Sequence, residues 1–114
     1  MDKPLYWFAS SRDEISAFPP ETRRTAGYQL RRVQQGLDPT DWKPMKAVGP
    51  GVREIRIHKS GEHRVFYVAR FSEGVYVLYA FEKRARKTPD HAIDLGRSRY
   101  RDLLDFRRRQ GHEA

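Results

Sequence analysis

The stretch VREIRIHKSGEHRVFYVARFSEGVYVLYAFE, residues 52–82, decides the fold. From Val52 to His58 the residues alternate, Ile55 and Ile57 on one side and Glu54, Arg56 and His58 on the other, which is the period of a strand. Lys59-Ser60-Gly61-Glu62 has the composition of a hairpin turn. His63–Phe71 and Val75–Glu82 read as two further strands joined at Ser72-Glu73-Gly74, completing a three-strand antiparallel meander. The last two strands are too apolar for a sheet with one wet face, so both faces need cover. Arg64 falls just past the hairpin turn, where cross-strand pairing can bring it to the face of Arg56.

Outward toward the amino end, Leu5–Ala9 reads as a short strand, because Tyr6, Trp7 and Phe8 are strand formers that follow Pro4. Ser11 and Glu14 have capping-box spacing, and Ile15 with Phe18 gives one apolar face to a short helix stopped by Pro19 and Pro20. Pro20 suits the first turn of a second helix, in which Ala26, Leu30, Val33 and Leu37 form one stripe and Gly36 supplies the stop. Arg23, Arg24, Arg31 and Arg32 decorate its other side as a solvated face. Leu37–Gly51, rich in Pro, Gly and Asp, reads as an ordered loop that Trp42 and Met45 pin to the core. Beyond the meander, a helix runs from about Pro89 to Arg109. Thr88 stands at its N-cap position, Pro89 at its first residue and Asp90 in its first turn, with Arg107, Arg108 and Arg109 at the favourable end of the dipole. Ile93, Tyr100, Leu103 and Leu104 form its apolar stripe, and the tail after Gln110 is expected to fray.

These elements predict one α+β domain over residues 1–114, with a mainly antiparallel sheet, two amino-terminal helices and one carboxyl-terminal helix. A chain of 114 residues can bury a core without staples, and the absence of cysteine excludes disulfides, zinc–thiolate sites and thiol nucleophiles. The longest apolar run, Val75–Phe81, is far short of the roughly 20 residues that cross a bilayer, and no secretory signal is evident, so a cytoplasmic protein is expected. Lys and Arg number 23 against 15 acidic residues, a net charge of +8, and this balance points to a polyanionic partner. From Glu82 to Arg101 the basic residues Lys83, Arg84, Arg86, Lys87, Arg97, Arg99 and Arg101 outnumber Glu82, Asp90 and Asp94.

His58, His63, His91 and His112 lack metal-ligand spacing, and the chain has neither a Gly-rich phosphate loop nor a nucleophile elbow. What remains is a set of cations. Arg56 and Arg64 on strands, with Lys83, Arg84, Arg86 and Lys87 just beyond the last strand, can converge on a phosphate. Guanidinium groups pair bidentately with phosphate oxygens and stabilise the charge that builds on phosphorus in transfer. The pattern equally allows Arg56 to pair with a neighbouring acid and residues 83–87 to be a solvated turn.

The order strand, two helices, three-strand meander and helix resembles the RelE superfamily. The segments Arg53-Glu54-Ile55-Arg56-Ile57, His63-Arg64-Val65-Phe66-Tyr67 and Tyr79-Ala80-Phe81-Glu82-Lys83-Arg84-Ala85-Arg86-Lys87-Thr88-Pro89 resemble its phage-derived, HigB-like branch. The likeness covers nearly the whole chain and is most specific over residues 53–95. It implies a toxin of a toxin–antitoxin pair that cuts mRNA in the ribosomal A site without metal or cofactor, by attack of a ribose 2′-OH on the adjacent phosphate. Arg56 then matches a basic strand position, and Arg64 with Lys83 or Arg84 matches positions tied to phosphate and transition-state contacts. The last helix begins Pro89-Asp90-His91 without the tyrosine that some relatives use, leaving His91, and with it His58, as possible acid or base. Arg86 and Lys87 extend the RNA surface. Tyr67 or Phe81 can stack a base or belong to the core. The implied partners are a helix-turn-helix antitoxin, mRNA and the ribosome, with no membrane and with DNA reached only through the antitoxin complex. The related ParE branch, which inhibits DNA gyrase, and a degenerate homologue that only binds its antitoxin stay open as alternatives.

Overall fold

The computed structural model describes residues 2–113. The order is β1 (Leu5–Trp7), α1 (Ser11–Ser16), α2 (Pro20–Gln34), β2 (Trp42–Pro44), β3 (Val52–Ile57), β4 (His63–Val68), β5 (Val75–Glu82) and α3 (Asp90–Arg109). The five strands form one sheet in the order β1-β5-β4-β3-β2, antiparallel except for the β1–β5 pair. The fold is α+β, as the meander predicts. One strand escaped the reading: Trp42–Pro44, inside the expected loop, pairs antiparallel with Arg53–Ile55. Three residues ending in proline carry too little alternation to be recognised, and proline is tolerated there because the strand is an edge.

The sheet is covered on both faces. Ile55, Ile57, Val65, Tyr67, Val75, Val77 and Ala80 pack beneath Ile15 of α1, Phe18 in the link that follows it, and Ala26, Leu30 and Val33 of α2, α1 ending at Ser16 before the expected Phe18. On the other face Val52, Phe66, Val68, Tyr76 and Leu78 pack with Met45, Val48 and α3's Tyr100 and Leu103. The β4–β5 ladder slips between Phe66 and Tyr67, which pair with Tyr79 and Val77 and leave Leu78 as an extra residue. This bulge turns Tyr79 and Phe81 onto the α3 face, where they stack on each other at 4.8 Å. Helix α3 comes close enough at Gly96 that a Cβ there would lie 3.0 Å from Phe66 and Val48.

Several local expectations give way to tertiary partners. Leu37 is exposed beyond α2, while Thr22 and Gln29 join the helix's buried stripe. Trp42 is half-buried beneath the Arg53 guanidinium, so Met45 is the residue that anchors its loop in the core. Ser11 lies inside α1 and makes no cap hydrogen bond. Glu14, its expected capping partner, instead accepts the Ala80 amide and both terminal nitrogens of Arg99. With Arg99 donating to the Leu78 carbonyl, the pair covers the edge of β5 that β1 is too short to reach. Arg99 therefore leaves the expected basic surface. Thr88 is not the N-cap of α3; Pro89 holds that position and the Thr88 hydroxyl donates to Glu54. The tail folds back, His112 N–H donating to the Arg107 carbonyl and the Glu113 carbonyl accepting from Arg107. No helix among the described residues is long and apolar enough to cross a membrane.

Candidate active site

Arg56 and Arg64 are direct partners across the β3–β4 ladder. Like charges opposite one another destabilise a sheet unless something offsets them, and here three carboxylates do. Arg56 Nε donates to Asp41 Oδ1 at 2.8 Å, and Arg64 Nη2 donates to Glu62 Oε1 at 3.0 Å. His58 lies between those two acids, with Nε2 2.6 Å from Asp41 Oδ2 and Nδ1 2.8 Å from Glu62 Oε1. Both ring nitrogens meet acceptor-only groups, so the ring fits this position as imidazolium. The hydrogen bonds to Asp41 and then Glu62 raise the His58 pKa above its ordinary value. The same bonds hold Asp41 and Glu62 below theirs, with Arg56 and Arg64 adding to the effect. The product is an alternating chain, Arg56–Asp41–His58–Glu62–Arg64, along one corner of the sheet.

The third carboxylate is Glu54. It is fully buried, accepts the Thr88 hydroxyl at 3.0 Å and lies 3.8 Å from both Lys43 Nζ and Arg64 Nε. Its Oε1 and Arg64 Nε are buried without a hydrogen bond. Glu54 thereby ties β3 to the end of the basic loop, and that loop is tied to the hairpin by the Lys83 amide, which donates to the Glu62 carbonyl at 2.7 Å.

The predicted site residues divide under this geometry. Arg56, with 38% of its side chain exposed, is accessible, whereas Arg64 is only 5% exposed beneath Glu62. Lys83 Nζ donates to the Arg86 carbonyl and shapes the loop. Arg84 pairs through Nε and Nη2 with Glu82 and is otherwise in solvent, as are Arg86 and Lys87. His91 is exposed on the first turn of α3, three residues after Thr88. Phe81 is half-buried opposite Arg64. Tyr67 is not available to a base: it is sealed in the core on the other face, where burial pushes its hydroxyl pKa up. Both His58 nitrogens are spoken for, so it holds its neighbours and has no N–H free for a ligand. Among the described residues no group of three or more His, Asp or Glu is arranged to hold a metal ion.

Asp41, Glu54, Glu62 and Thr88 were missed in the sequence. Glu62 carries a usable signal, standing four residues from His58 across a glycine turn, and Glu54 shares the parity of Arg56. Asp41 has none, because its role depends on β2 pairing with β3.

The family model described as Phage derived protein Gp49-like (DUF891) matches residues 13–101. The chain belongs to the Gp49-like family. This is a RelE/HigB-like, toxin-type family associated with toxin–antitoxin pairs. The Gp49-like segment contains every member of the Arg56–Arg64 chain, Glu54 and the whole basic loop, and it stops before Arg107. Among curated proteins none matches the chain.

Proposed function

We propose that this chain is a cytoplasmic, single-domain toxin that cuts messenger RNA on the ribosome. The observation that carries the reading is the Arg56–Arg64 rung, two arginines paired across the ladder and hemmed by three carboxylates, beside a loop rich in Lys and Arg. A core built for stability alone has no use for that arrangement, whereas a phosphate that gains charge during transfer does. In the reaction a 2′-OH attacks the adjacent phosphorus, the P–O5′ bond breaks, and the products are a 2′,3′-cyclic phosphate and a free 5′-OH. The proton leaves the attacking oxygen and one is delivered to the 5′-oxygen. Arg56 contacts a non-bridging oxygen, Arg64 follows when Glu62 yields to the phosphate, and Arg84, Arg86 and Lys87 hold the flanking backbone. His91, an exposed imidazole with no hydrogen bond or ion pair among the described residues, is assigned the proton transfer. A small helix-turn-helix antitoxin with an acidic segment is the partner that neutralises this surface.

The burial of Arg64 and the engagement of both His58 nitrogens favour a second reading, a non-catalytic homologue that only binds its antitoxin. Induction of the chain without a partner separates these readings. Primer extension is expected to show messages cut within codons while plasmid supercoiling is unchanged. Intact messages with collapsed supercoiling assign the chain to gyrase inhibition, and intact messages with normal growth assign it to antitoxin binding alone.

A further inference from the structure

A cleft of about 750 Å³ opens between α2 and the end of β3, within the roughly 300–1,000 Å³ range of small-ligand sites. Its walls are braced by buried polar side chains. At one end the fully buried Thr22 donates its hydroxyl to the Lys59 carbonyl at 2.7 Å. At the other, Gln29 donates to the Thr40 hydroxyl at 2.7 Å and accepts the Thr40 amide at 2.8 Å. Helix α2 thus uses buried polar positions, which are unfavourable unless paired, to keep two loops at a set distance. Between these braces Tyr28 lies with 59% of its surface exposed. Arg24, one helical turn away on the same side, has no ion pair or hydrogen bond among the described residues. Lys59 adds a second cation, only loosely held by Glu21 at 3.9 Å. Arg56 lines the cleft and also forms the rung with Arg64, so the cleft is continuous with the candidate active site.

We propose that this cleft holds a second nucleotide of single-stranded RNA, with its base against Tyr28 and its phosphate on Arg24 and Lys59. The inference rests on the RNA-cutting reading and gives the strand its path, from the basic loop over Arg64 and Arg56 and across the sheet edge onto α2. An exposed aromatic face between cations accepts any unstacked base, and a duplex cannot present one. Continuity with Arg56 favours RNA over an acidic peptide.

The test uses the full chain and a short single-stranded oligoribonucleotide with 2′-O-methyl riboses, which lack the attacking hydroxyl. Affinity is followed by fluorescence anisotropy, and KM is measured on programmed ribosomes. Tyr28→Ala is expected to weaken binding or raise KM about tenfold, and Tyr28→Phe, which keeps the ring face, to restore it. Arg24→Ala is expected to reduce the slope of log affinity against log salt by about 0.7. Both side chains are exposed, so melting temperatures should match the wild type. Wild-type behaviour of Tyr28→Ala in both assays, while Arg56→Ala is impaired, overturns the cleft and leaves the functional reading standing. A wild-type chain inert toward both oligonucleotide and ribosomes overturns both. If poly-glutamate loses affinity for Tyr28→Ala while RNA does not, the cleft belongs to a protein partner and the proposal fails.

Discussion

Arg64 and Arg107 are equally buried, each with 5% of its side chain exposed, yet they are held in opposite ways. Arg107, on the last turns of α3, donates through Nε and Nη2 to Glu73 at 2.6 and 3.2 Å and through Nη1 to the Glu113 carbonyl, and its guanidinium lies 3.5 Å over the Phe71 ring. Each of its nitrogens has a partner. Arg64 donates through Nη1 to the His63 carbonyl at 2.9 Å and through Nη2 to the half-exposed Glu62 at 3.0 Å, but its Nε is buried with no hydrogen bond and lies 3.8 Å from a buried carboxylate that is itself incompletely satisfied. A satisfied buried ion pair locks structure. An unsatisfied one keeps binding capacity in reserve, and only the unsatisfied arginine lies within the Gp49-like segment.

Breaking the locked end should have the largest effect. Arg107→Ala leaves Glu73 in place without its partner and should cost about 4 kcal/mol of stability, read as a drop in urea midpoint with an unchanged slope. Cleavage per folded molecule should be unaffected. The same pair sets the acid limit. The Arg107 hydrogen bonds hold Glu73 at about 2 against an ordinary 4.5. Because the folded value is the lower one, this stabilisation is present above pH 4.5 and is lost as pH falls toward 2, about 3 kcal/mol in all. An acid unfolding curve unchanged by Arg107→Ala would show that the lock has been misplaced.

The comparison sharpens at the other end. Arg56→Ala should slow single-turnover cleavage on programmed ribosomes about a hundredfold with little change in melting temperature. Arg64→Ala should match that loss and also lower the melting temperature, because it strips the buried Glu54 of one of the two cations that flank it. Arg64→Lys should recover part of the rate, since it keeps the charge without the planar fork. Arg108, exposed and paired only with Asp105, is the control, and Arg108→Ala should change neither quantity measurably. If Arg64→Ala destabilises the fold while the folded fraction cuts at the wild-type rate, Arg64 is a second Arg107 and the contrast collapses.

The smallest expected effect belongs to His58, which is half exposed. Its titration by NMR should have a midpoint above 6.5, and Asp41→Asn should bring it down more than Glu62→Gln, since the Asp41 bond is the larger cause. With the folded value raised, the associated stability is complete below the unfolded value and fades as pH rises through the folded midpoint. A midpoint at or below 6.5 would mean that the alternating chain does not hold in solution.

Much of the architecture could be read from neighbouring residues. Alternation through Val52–Ile57, the glycine turn at Gly61, the Pro19-Pro20 stop and the stripe at Ala26, Leu30 and Val33 each involve residues at spacings of two or of three to four, and a helix or strand imposes those spacings locally. The facing of Arg56 and Arg64 followed from the same periodicity and the turn between them. What burial and ion pairing do with those side chains depended on segments far apart in the chain. Asp41 reaches Arg56 only because β2 adds to the sheet, and Thr88 leaves its capping position for Glu54, 34 residues earlier. Arg99 is drawn out of the basic surface by Glu14, 85 residues away. The sequence alone therefore determined the elements, their order and the presence of a strongly cationic segment. Only the tertiary structure decided which of those cations are locked and which are kept free, because a charge takes its partner by distance in space, and distance in space between remote segments has no local signature.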